Sequence, residues 1–598
     1  MINGETQLAP FNHILGIAST NVPAYSNEDD EYFHLEQHYF QGIFTGMKWQ
    51  CVEFARRWLL MRKSCVFKNI RCAADMWTDL TSVERVTDAQ QFLLTAHPNG
   101  SAEAPKHDSL LIYSRSAEQP VGHVAIITEV GQDFIRIAEQ NNKSHYWSGN
   151  YARQIPLVFE SGVYYIKDED EVCGWKEIEE SNQLKPLDET KMDIVLKQYQ
   201  EPLPIGKMER CFVTNSSTDS ECSWLNENDP AEKFFIELYG KDIVRANACT
   251  QDMAYYKINQ NLLYNISSVS NELHRMFLEA TNRVIHDDEL LTRFGIPNAF
   301  WTRIRQSWAN DQDSTLTGRF DLAFDGKQLK VFEYNADSAS ALFECAIIQK
   351  KWAEAVNLPS LFMSGLRLHR VLIKNWKRWN IKTRVHLLID NEKEELLTAL
   401  YMQNVMREAD ISSKICTKIE EFSWKDSTIV DNDGETVQIV WKLWMWETVF
   451  RDYSEAAKER CLDDENTNKN EPWRPIDGQH PRLSDILLNE HIKVIEPLWK
   501  VITSNKALLP LLWTMFPNHP NLLHTEWTLT NELKQGPFVK KPIVGRCGQN
   551  VTLYNTTGDF VIDETIGKFS DRDNIYQELF PLKNYDGYYG IIGSWISG

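Results

Sequence analysis

The stretch Gly46-Met-Lys-Trp-Gln-Cys51-Val-Glu-Phe-Ala-Arg-Arg-Trp58 reads as the opening of an amphipathic helix with a thiol in its first turn. Val52, Ala55, Trp58 and Leu59 recur at helical spacing and are expected to face a core. A thiol at a helix N-terminus feels the positive end of the helix dipole, which favours thiolate, the reactive form. Two residues farther on extend the pattern. His123 opens the run Gly-His-Val-Ala-Ile-Ile, and Glu139 closes Ile-Arg-Ile-Ala-Glu, so both are expected to project from neighbouring strands. A nucleophile on a helix, with a base and its orienting carboxylate on adjacent strands, is the arrangement a cysteine hydrolase needs. Taken singly, these residues also suit a plainer role. Free cysteine is among the most buried residue types, and a histidine in an apolar strand is commonly a satisfied core residue. The order Cys51, His123, Glu139 leaves both readings standing.

Composition bounds the rest. The 598 residues suffice for about two to four domains. Lys and Arg number 63 against 84 Asp and Glu, a net charge of -21, which argues against nucleic acid as the main partner and suits a cationic ligand better. The 11 cysteines form no CxxC pair and no even framework, as expected of reduced thiols in the cytoplasm. The longest apolar run, Ala507 to Phe516, is too short to span a bilayer, so a soluble protein without a membrane partner is expected.

Residues 1–180 hold short β-like runs after helical segments, which suggests a compact α+β domain. Residues 181–225 shift to Glu, Lys, Pro, Asn and Ser and read as a linker. Residues 226–598 read as an α/β region, with helical patterns at 230–238, 261–285 and 341–355 and strand-like runs at 318–324, 329–334, 384–389 and 437–441.

A second constellation lies there. Thr317-Gly-Arg319-Phe-Asp321-Leu-Ala-Phe324 is followed, after the turn Asp325-Gly326, by Leu329-Lys-Val-Phe-Glu333-Tyr-Asn335, which predicts a hairpin. Period-2 alternation puts Arg319 with Asp321 on one face and Glu333 with Asn335 on one face. Asp321, Glu333 and Asn335 could then offer three hard oxygen ligands, a set that suits Mg²⁺ carrying a nucleotide. A pair of solvated hairpin faces fits the same pattern. Downstream, Ser504-Asn-Lys506-Ala and Lys541-Pro-Ile-Val-Gly-Arg546-Cys-Gly548 carry lysines that could clamp phosphate.

With both constellations in view, the chain resembles the bifunctional glutathionylspermidine and trypanothione synthetase-amidase family nearly end to end. The carrying motifs are Lys48-Trp-Gln-Cys51-Val-Glu-Phe-Ala-Arg-Arg57, Gly122-His123-Val, Ala138-Glu139-Gln-Asn141, Glu333-Tyr-Asn-Ala-Asp-Ser-Ala-Ser340, Trp444-Met-Trp-Glu447-Thr448, Ser504-Asn-Lys506-Ala and Lys541-Pro-Ile-Val-Gly-Arg546. Flanking stretches such as Gly318 to Phe324 look more like the trypanosomatid trypanothione synthetases than the bacterial members. The resemblance implies an N-terminal papain-like cysteine amidase domain of the CHAP type, followed by an ATP-grasp-like ligase. It makes Cys51 the nucleophile, His123 its base and Glu139 the residue that orients the imidazole, with Gln50 and the Cys51 amide as oxyanion hole. Arg56 and Asn141 match positions that hold the glutathionyl part of the substrate. Arg319 matches a transition-state arginine, and Asp321, Glu333 and Asn335 match Mg²⁺ ligands. Lys506, Lys541, Arg546, Cys547, Gly548, Gln549 and the segment Gln577, Glu578, Leu579, Phe580 match nucleotide-binding positions, while Ser338, Glu394, Glu395 and Thr448 fall where the family binds glutathione and the polyamine. The implied reaction joins the glycine carboxylate of glutathione to an amine of spermidine or glutathionylspermidine at the expense of ATP, and the amidase hydrolyses the same amide.

The ending Gly590-Ile-Ile-Gly-Ser-Trp-Ile-Ser-Gly598 falls short of the family's glycine-rich stretch and final strand. A truncated end is therefore expected, leaving a sheet edge without a partner. A narrower reading is an amidase with an impaired ligase half. A third is a glutathione- or polyamine-binding regulator without turnover, against which the Cys51, His123 and Glu139 set speaks.

Overall fold

The computed structural model describes residues 9–28, 37–188, 206–213, 224–240, 254–356, 364–466 and 476–597, with Leu358, apart from positions 69, 71, 117, 118, 120, 143–145, 557 and 559 inside those ranges. The chain divides into two compact units, Met1–Pro204 and Ile205–Gly598.

In the first unit, helix α1 (Cys51–Lys63) starts at Gln50, whose backbone is extended, and stops at Ser64 in the left-handed region, where the Ser64 N–H caps the Leu59 and Leu60 carbonyls. It buries Phe54, Ala55, Trp58 and Leu59 fully, so the helical spacing read from the sequence marks its core face. The helix packs on a nine-stranded sheet built from β1 (Cys65–Val66), β2 (Ser82–Arg85), β3 (Gln91–Pro98), β4 (Leu110–Tyr113), β5 (His123–Val130), β6 (Phe134–Ala138), β7 (Arg153–Glu160), β8 (Val163–Ile166) and β9 (Val172–Ile178). Its order is β8-β7-β6-β5-β4-β9-β3-β2-β1, with every neighbour antiparallel. Strand β5 is apolar from Val124 to Ile127 because both of its faces are covered there. Val124 and Ile126 join the core under α1, whereas Ala125 and Ile127 join a second core with Tyr113 and Trp175. Register then fixes the chemistry: Tyr113 pairs with His123, and Ile137 with Arg153. Gly122, just before β5, has φ +67, and a Cβ there would come within 2.7 Å of the Ala74 side chain and 2.8 Å of the Tyr113 carbonyl.

The second unit centres on the hairpin β10 (Thr317–Phe324) and β11 (Leu329–Asn335). Asp325 closes its turn by accepting the Lys327 and Gln328 N–H groups, each at 2.7 Å, and Gly326 supplies φ +98. Arg319 pairs with Asn335 and Asp321 with Glu333, and a bulge follows Asp321. Phe320 and Tyr334 stack on the opposite face, 3.9 Å between ring centres, against the long helix Gln260–Ile285. Beside the hairpin lies a parallel sheet of β12 (Val385–Leu388), β13 (Ser413–Cys416), β14 (Ile439–Lys442) and β15 (Lys493–Ile495), in the order β13-β12-β14-β15. Helix α2 (Lys393–Glu408) follows β12, and helix α3 (Trp446–Asn466) follows β14. An antiparallel sheet holds β16 (Thr525–Glu526), β17 (Phe538–Pro542), β18 (Thr552–Tyr554), β19 (Val561–Glu564) and β20 (Asn574–Glu578), in the order β16-β20-β17-β18-β19.

Three stretches show more than their sequence reading. The closing stretch is itself a strand: Ile591–Ser597 forms β21, paired with β10 from Ala323 to Thr317, and stands at the edge of the sheet β11-β10-β21. Gly593 lies opposite Asp321, and a Cβ there would stand 3.2 Å from Arg319 Cδ, so the glycine makes room for that arginine. The expected helix at 341–355 contains a wide π turn, Glu344–Ile348, before Gln349–Ala355. The expected linker at 181–225 lies partly outside the described residues, and its described parts are ordered. Lys63 donates to Ser181, Ser64 donates to the Lys185 carbonyl, and Met208–Phe212 pairs with Ala254–Ile258.

Trp58 is fully buried and its indole N–H donates to Thr20 at 2.9 Å. Trp58→Ala should cost about 3–5 kcal/mol. Chemical denaturation of the full chain should show this as an earlier transition in the first unit, with the transition of the second unit unmoved.

Candidate active sites

Cys51 is the first residue of α1 and is 5% exposed. As the first helical amide, its N–H has no intrahelical acceptor. His123 Nε2 and Glu139 Oε2 are 2.9 Å apart, and Cys51 lies near enough to the imidazole to act on its charge. Burial alone would lower the His123 pKa, but Cys51 and Glu139 outweigh it and raise it to about 10. Glu139 is buried as well, which would raise its carboxyl. Its bonds to His123 and the nearby Arg153 charge overcome that and hold it well below the usual range. The arrangement keeps a proton on His123 at neutral pH, so an imidazolium can stand beside the sulfur.

Gln50 completes the site. Its Oε1 accepts from Asn141 Nδ2 at 3.1 Å, and Asn141 Oδ1 accepts from Asn27 Nδ2 at 2.8 Å. Gln50 Nε2 is buried and has no hydrogen-bond partner among the described residues. An amide fixed through its oxygen, with a spare buried N–H beside a helix N-terminus, can receive charge on a carbonyl oxygen. Asn141 thus holds Gln50, a role the sequence did not suggest. Arg56 has other surroundings: it lies over the Phe44 and Phe67 rings and lines a cavity of about 270 Å³ with Thr81, Ser82, Glu84 and Gln91. Beneath the site, Gln140 ties the pieces together. Its Nε2 donates to the Gln50 carbonyl at 3.2 Å and to Glu53 at 2.9 Å, and its Oε1 accepts from Arg57 at 3.1 Å.

In the second unit the hairpin sets Asp321 opposite Glu333. Arg319 Nε donates to Asp321 at 2.8 Å and Lys506 Nζ pairs with Glu333 at 2.8 Å. Asn335 Nδ2 reaches both carboxylates, at 3.3 and 3.4 Å. Burial raises the Asp321 pKa against the pull of Arg319, whereas Lys506 and Lys541 overcome burial at Glu333 and lower it. Lys541, on β17, donates to the Phe332 carbonyl at 2.9 Å and to Gln577 Oε1, on β20, at 2.8 Å. Burial takes its pKa down to about 7 although Glu333 opposes the shift. Asp321, Glu333, Asn335, Lys506, Lys541 and Gln577 therefore form one cluster. Glu578 closes the strand after Gln577, and Leu579 and Phe580 follow it.

Arg546 makes its bonds elsewhere. Its guanidinium donates to Ser338 Oγ and, at 3.3 Å, to Glu395, so it stands with the residues expected to hold substrate. Cys547, Gly548 and Gln549 form the turn beyond it, with φ +51 at Cys547 and +64 at Gly548, and Cys547 is exposed. Glu394 and Glu395 lie in the first turn of α2. Thr448 lies in the first turn of α3 and accepts from Arg451 at 3.3 Å.

Several residues were not singled out from the sequence. Lys442, fully buried at the end of β14, bonds Asp337, whose other oxygen accepts the Trp446 N–H at 3.2 Å. Glu447 sits next to that pair, and burial followed by the Asp337 charge raises its pKa to about 7. Glu344, with Tyr239 at 3.4 Å and Glu394 nearby, adds a further half-buried carboxyl. Arg153 and Asp168 stand behind Glu139. A charged residue within an apolar strand, as at Lys442, is the one signal that was legible.

Comparison with known proteins agrees with this layout. Residues 230–598 match the family described as glutathionylspermidine synthase preATP-grasp, and residues 42–141 match the CHAP domain. The chain is 38% identical to the trypanothione synthetase of Crithidia fasciculata, over 98% of this chain and 90% of that protein. It is 35% identical to the bifunctional glutathionylspermidine synthetase/amidase of Escherichia coli (strain K12), over 98% of this chain and 94% of that protein. With the glutathionylspermidine synthase of Crithidia fasciculata the identity is 28%, over 99% and 92%. The chain belongs to the glutathionylspermidine synthetase/amidase family.

Asn141→Ala should free the Gln50 amide to turn. Hydrolysis by the CHAP unit should fall by about 10- to 100-fold, less than the loss of an oxyanion donor outright. Alkylation of Cys51 by iodoacetamide needs no oxyanion hole and should keep its rate. Equal losses in both measurements would contradict this placement.

Proposed function

We propose that this chain makes and cleaves the amide between the glycine carboxylate of glutathione and a polyamine amine, with spermidine or glutathionylspermidine as acceptor. The observation that carries the reading is the presence on one chain of two unlike sites. One is the Cys51, His123 and Glu139 set, and the other is the paired carboxylates Asp321 and Glu333 under Lys506 and Lys541.

For ligation, ATP phosphorylates the glutathione carboxylate to an acyl phosphate, and the amine then displaces phosphate. Lys506, Lys541 and Gln577 lie together and suit the nucleotide phosphates and the ring beside them. Arg319 reaches across from Asp321 and suits the transferring phosphoryl group, whose charge it would share. Ser338, Arg546, Glu395 and Thr448 suit glutathione and the amine, and Glu394 with Glu344 adds negative charge for a polycation.

The donor set fits Mg²⁺. Two carboxylates placed opposite each other, with an amide from Asn335, are hard oxygen donors, and in this structure cationic side chains lie against both carboxylates. Bound there by Asp321, Glu333 and Asn335, Mg²⁺ would neutralise the phosphates.

For hydrolysis, the Cys51 sulfur attacks the amide carbonyl while Gln50 Nε2 and the Cys51 N–H receive the charge on oxygen. His123 gives its proton to the departing amine, then draws one from the water that releases glutathione. Among the described residues no helix is long and apolar enough to cross a membrane. We place the enzyme in the cytoplasm because the described cysteines are free thiols.

Paired variants test the reading. Cys51→Ala should abolish hydrolysis of glutathionylspermidine, a loss of about 10⁴- to 10⁶-fold, while ATP-dependent ligation persists. Asp321→Ala or Glu333→Ala should do the reverse, removing ATP turnover with the amidase intact. Lys541→Ala should mainly raise KM for ATP. ATP turnover unchanged in Asp321→Ala, or hydrolysis retained in Cys51→Ala, would overturn the corresponding half.

A further inference from the structure

Glu139 is held from behind. The Arg153 guanidinium grips both of its oxygens, through Nε to Oε1 and through Nη2 to Oε2 at 3.1 Å. The same guanidinium turns Nη1 to both oxygens of Asp168 at 2.9 Å, and Nη2 also reaches Tyr113 Oη at 3.3 Å. Tyr113 donates to Asp168 at 2.8 Å. The four residues come from four strands or strand ends: Tyr113 closes β4, Glu139 follows β6, Arg153 opens β7 and Asp168 follows β8. Side-chain exposure is 5% at Glu139 and 7% at Asp168, so neither carboxylate can rely on water for its charge.

We propose that Arg153 is a positioning residue of the amidase: it supplies the charge and the geometry that hold Glu139 against His123, with Asp168 and Tyr113 fixing it in turn. This rests on the hydrolase reading of Cys51 and His123. Glu139 Oε2 already accepts from His123 and, at 3.2 Å, from Asn142, so the Arg153 fork leaves the carboxylate no free direction in which to turn. Among the described residues, the groups facing Glu139 are His123 on β5, Arg153 on β7, Tyr113 on β4, Asp168 beyond β8 and Asn142 of its own loop, with Cys51 beside His123. Arg153 is the only arginine or lysine among them. Removing it sets two buried carboxylates side by side with one imidazole between them and the thiol, and one carboxylate must then take up a proton. A protonated Glu139 would orient His123 poorly and would no longer support its positive charge.

The test uses the full chain and follows hydrolysis of glutathionylspermidine across pH. Arg153→Met should lower kcat about 10- to 100-fold at neutral pH, the range typical of supporting residues, with KM near that of the parent. Its acid limb should move to higher pH. Arg153→Lys, which keeps the charge without the fork, should restore the limb but only part of kcat. Adding Asp168→Asn to Arg153→Met should also bring the limb back, since Glu139 then loses its like-charged neighbour. A merely structural arginine would give no shift of the limb, and the second substitution would add its own loss. That result overturns the proposal, as does an unchanged kcat in Arg153→Met. If Arg153→Met fails to fold, Asp168→Asn alone should lower kcat in the same direction by a smaller factor with KM unchanged, and no change there overturns it. Failure of the hydrolase reading itself is distinct, because the parent chain would then show no hydrolysis at all.

Discussion

Two carboxylates set directly opposite each other on antiparallel strands repel, and the second unit is arranged around that repulsion. Asp321 faces Glu333 because the Asp325-Gly326 turn and the bulge after Asp321 fix the register. On the other face of the same strands, Phe320 stacked on Tyr334 anchors the hairpin to the core. Like charges so placed destabilise a sheet unless cations lie within reach. Here Arg319 takes Asp321, Lys506 takes Glu333, and Lys541 adds its charge from the next sheet. A site that sets paired carboxylates against cationic side chains offers both signs of charge, as a metal with polyanionic phosphate requires.

The first unit meets a related demand in a different way. Its buried Glu139 must stay ionised to support His123, and the sheet delivers Arg153 to it through the pairing of β6 with β7. In both units a buried or half-buried carboxylate, Glu139 or Glu333, is made tenable by a cation well separated from it in sequence. The lysines over Glu333 lie on segments downstream of the hairpin, and Arg153 lies beyond the loop that follows Glu139. Precise placement of reacting groups comes from strand register, which a one-residue slip would invert.

The local features were legible in the sequence because they have short-range causes. The helix opening at Cys51 shows in its apolar spacing, and the hairpin shows in alternation around Asp-Gly. What was not legible depends on pairings between distant strands. The final strand Ile591–Ser597 looks like a stub until β10 is seen to accept it, with Gly593 clearing space for Arg319. Arg153 opens a strand of mixed polarity and resembles any exposed arginine until Asp168 and Glu139 are brought to it. Asn141 carries no mark of its bond to Gln50, and nothing in its motif shows that Arg546 bonds Ser338 and Glu395. Buried charge is paid for by partners, and those partners are named only by the fold.

The central claim is that one chain both forms and breaks the same amide. The most direct test is mass analysis over time of the purified chain supplied with glutathione, spermidine and Mg-ATP. The account predicts that a glutathione–spermidine conjugate forms with stoichiometric release of phosphate and then declines to free glutathione once ATP is spent. A conjugate that never appears, or that appears and persists after ATP is exhausted, would contradict it.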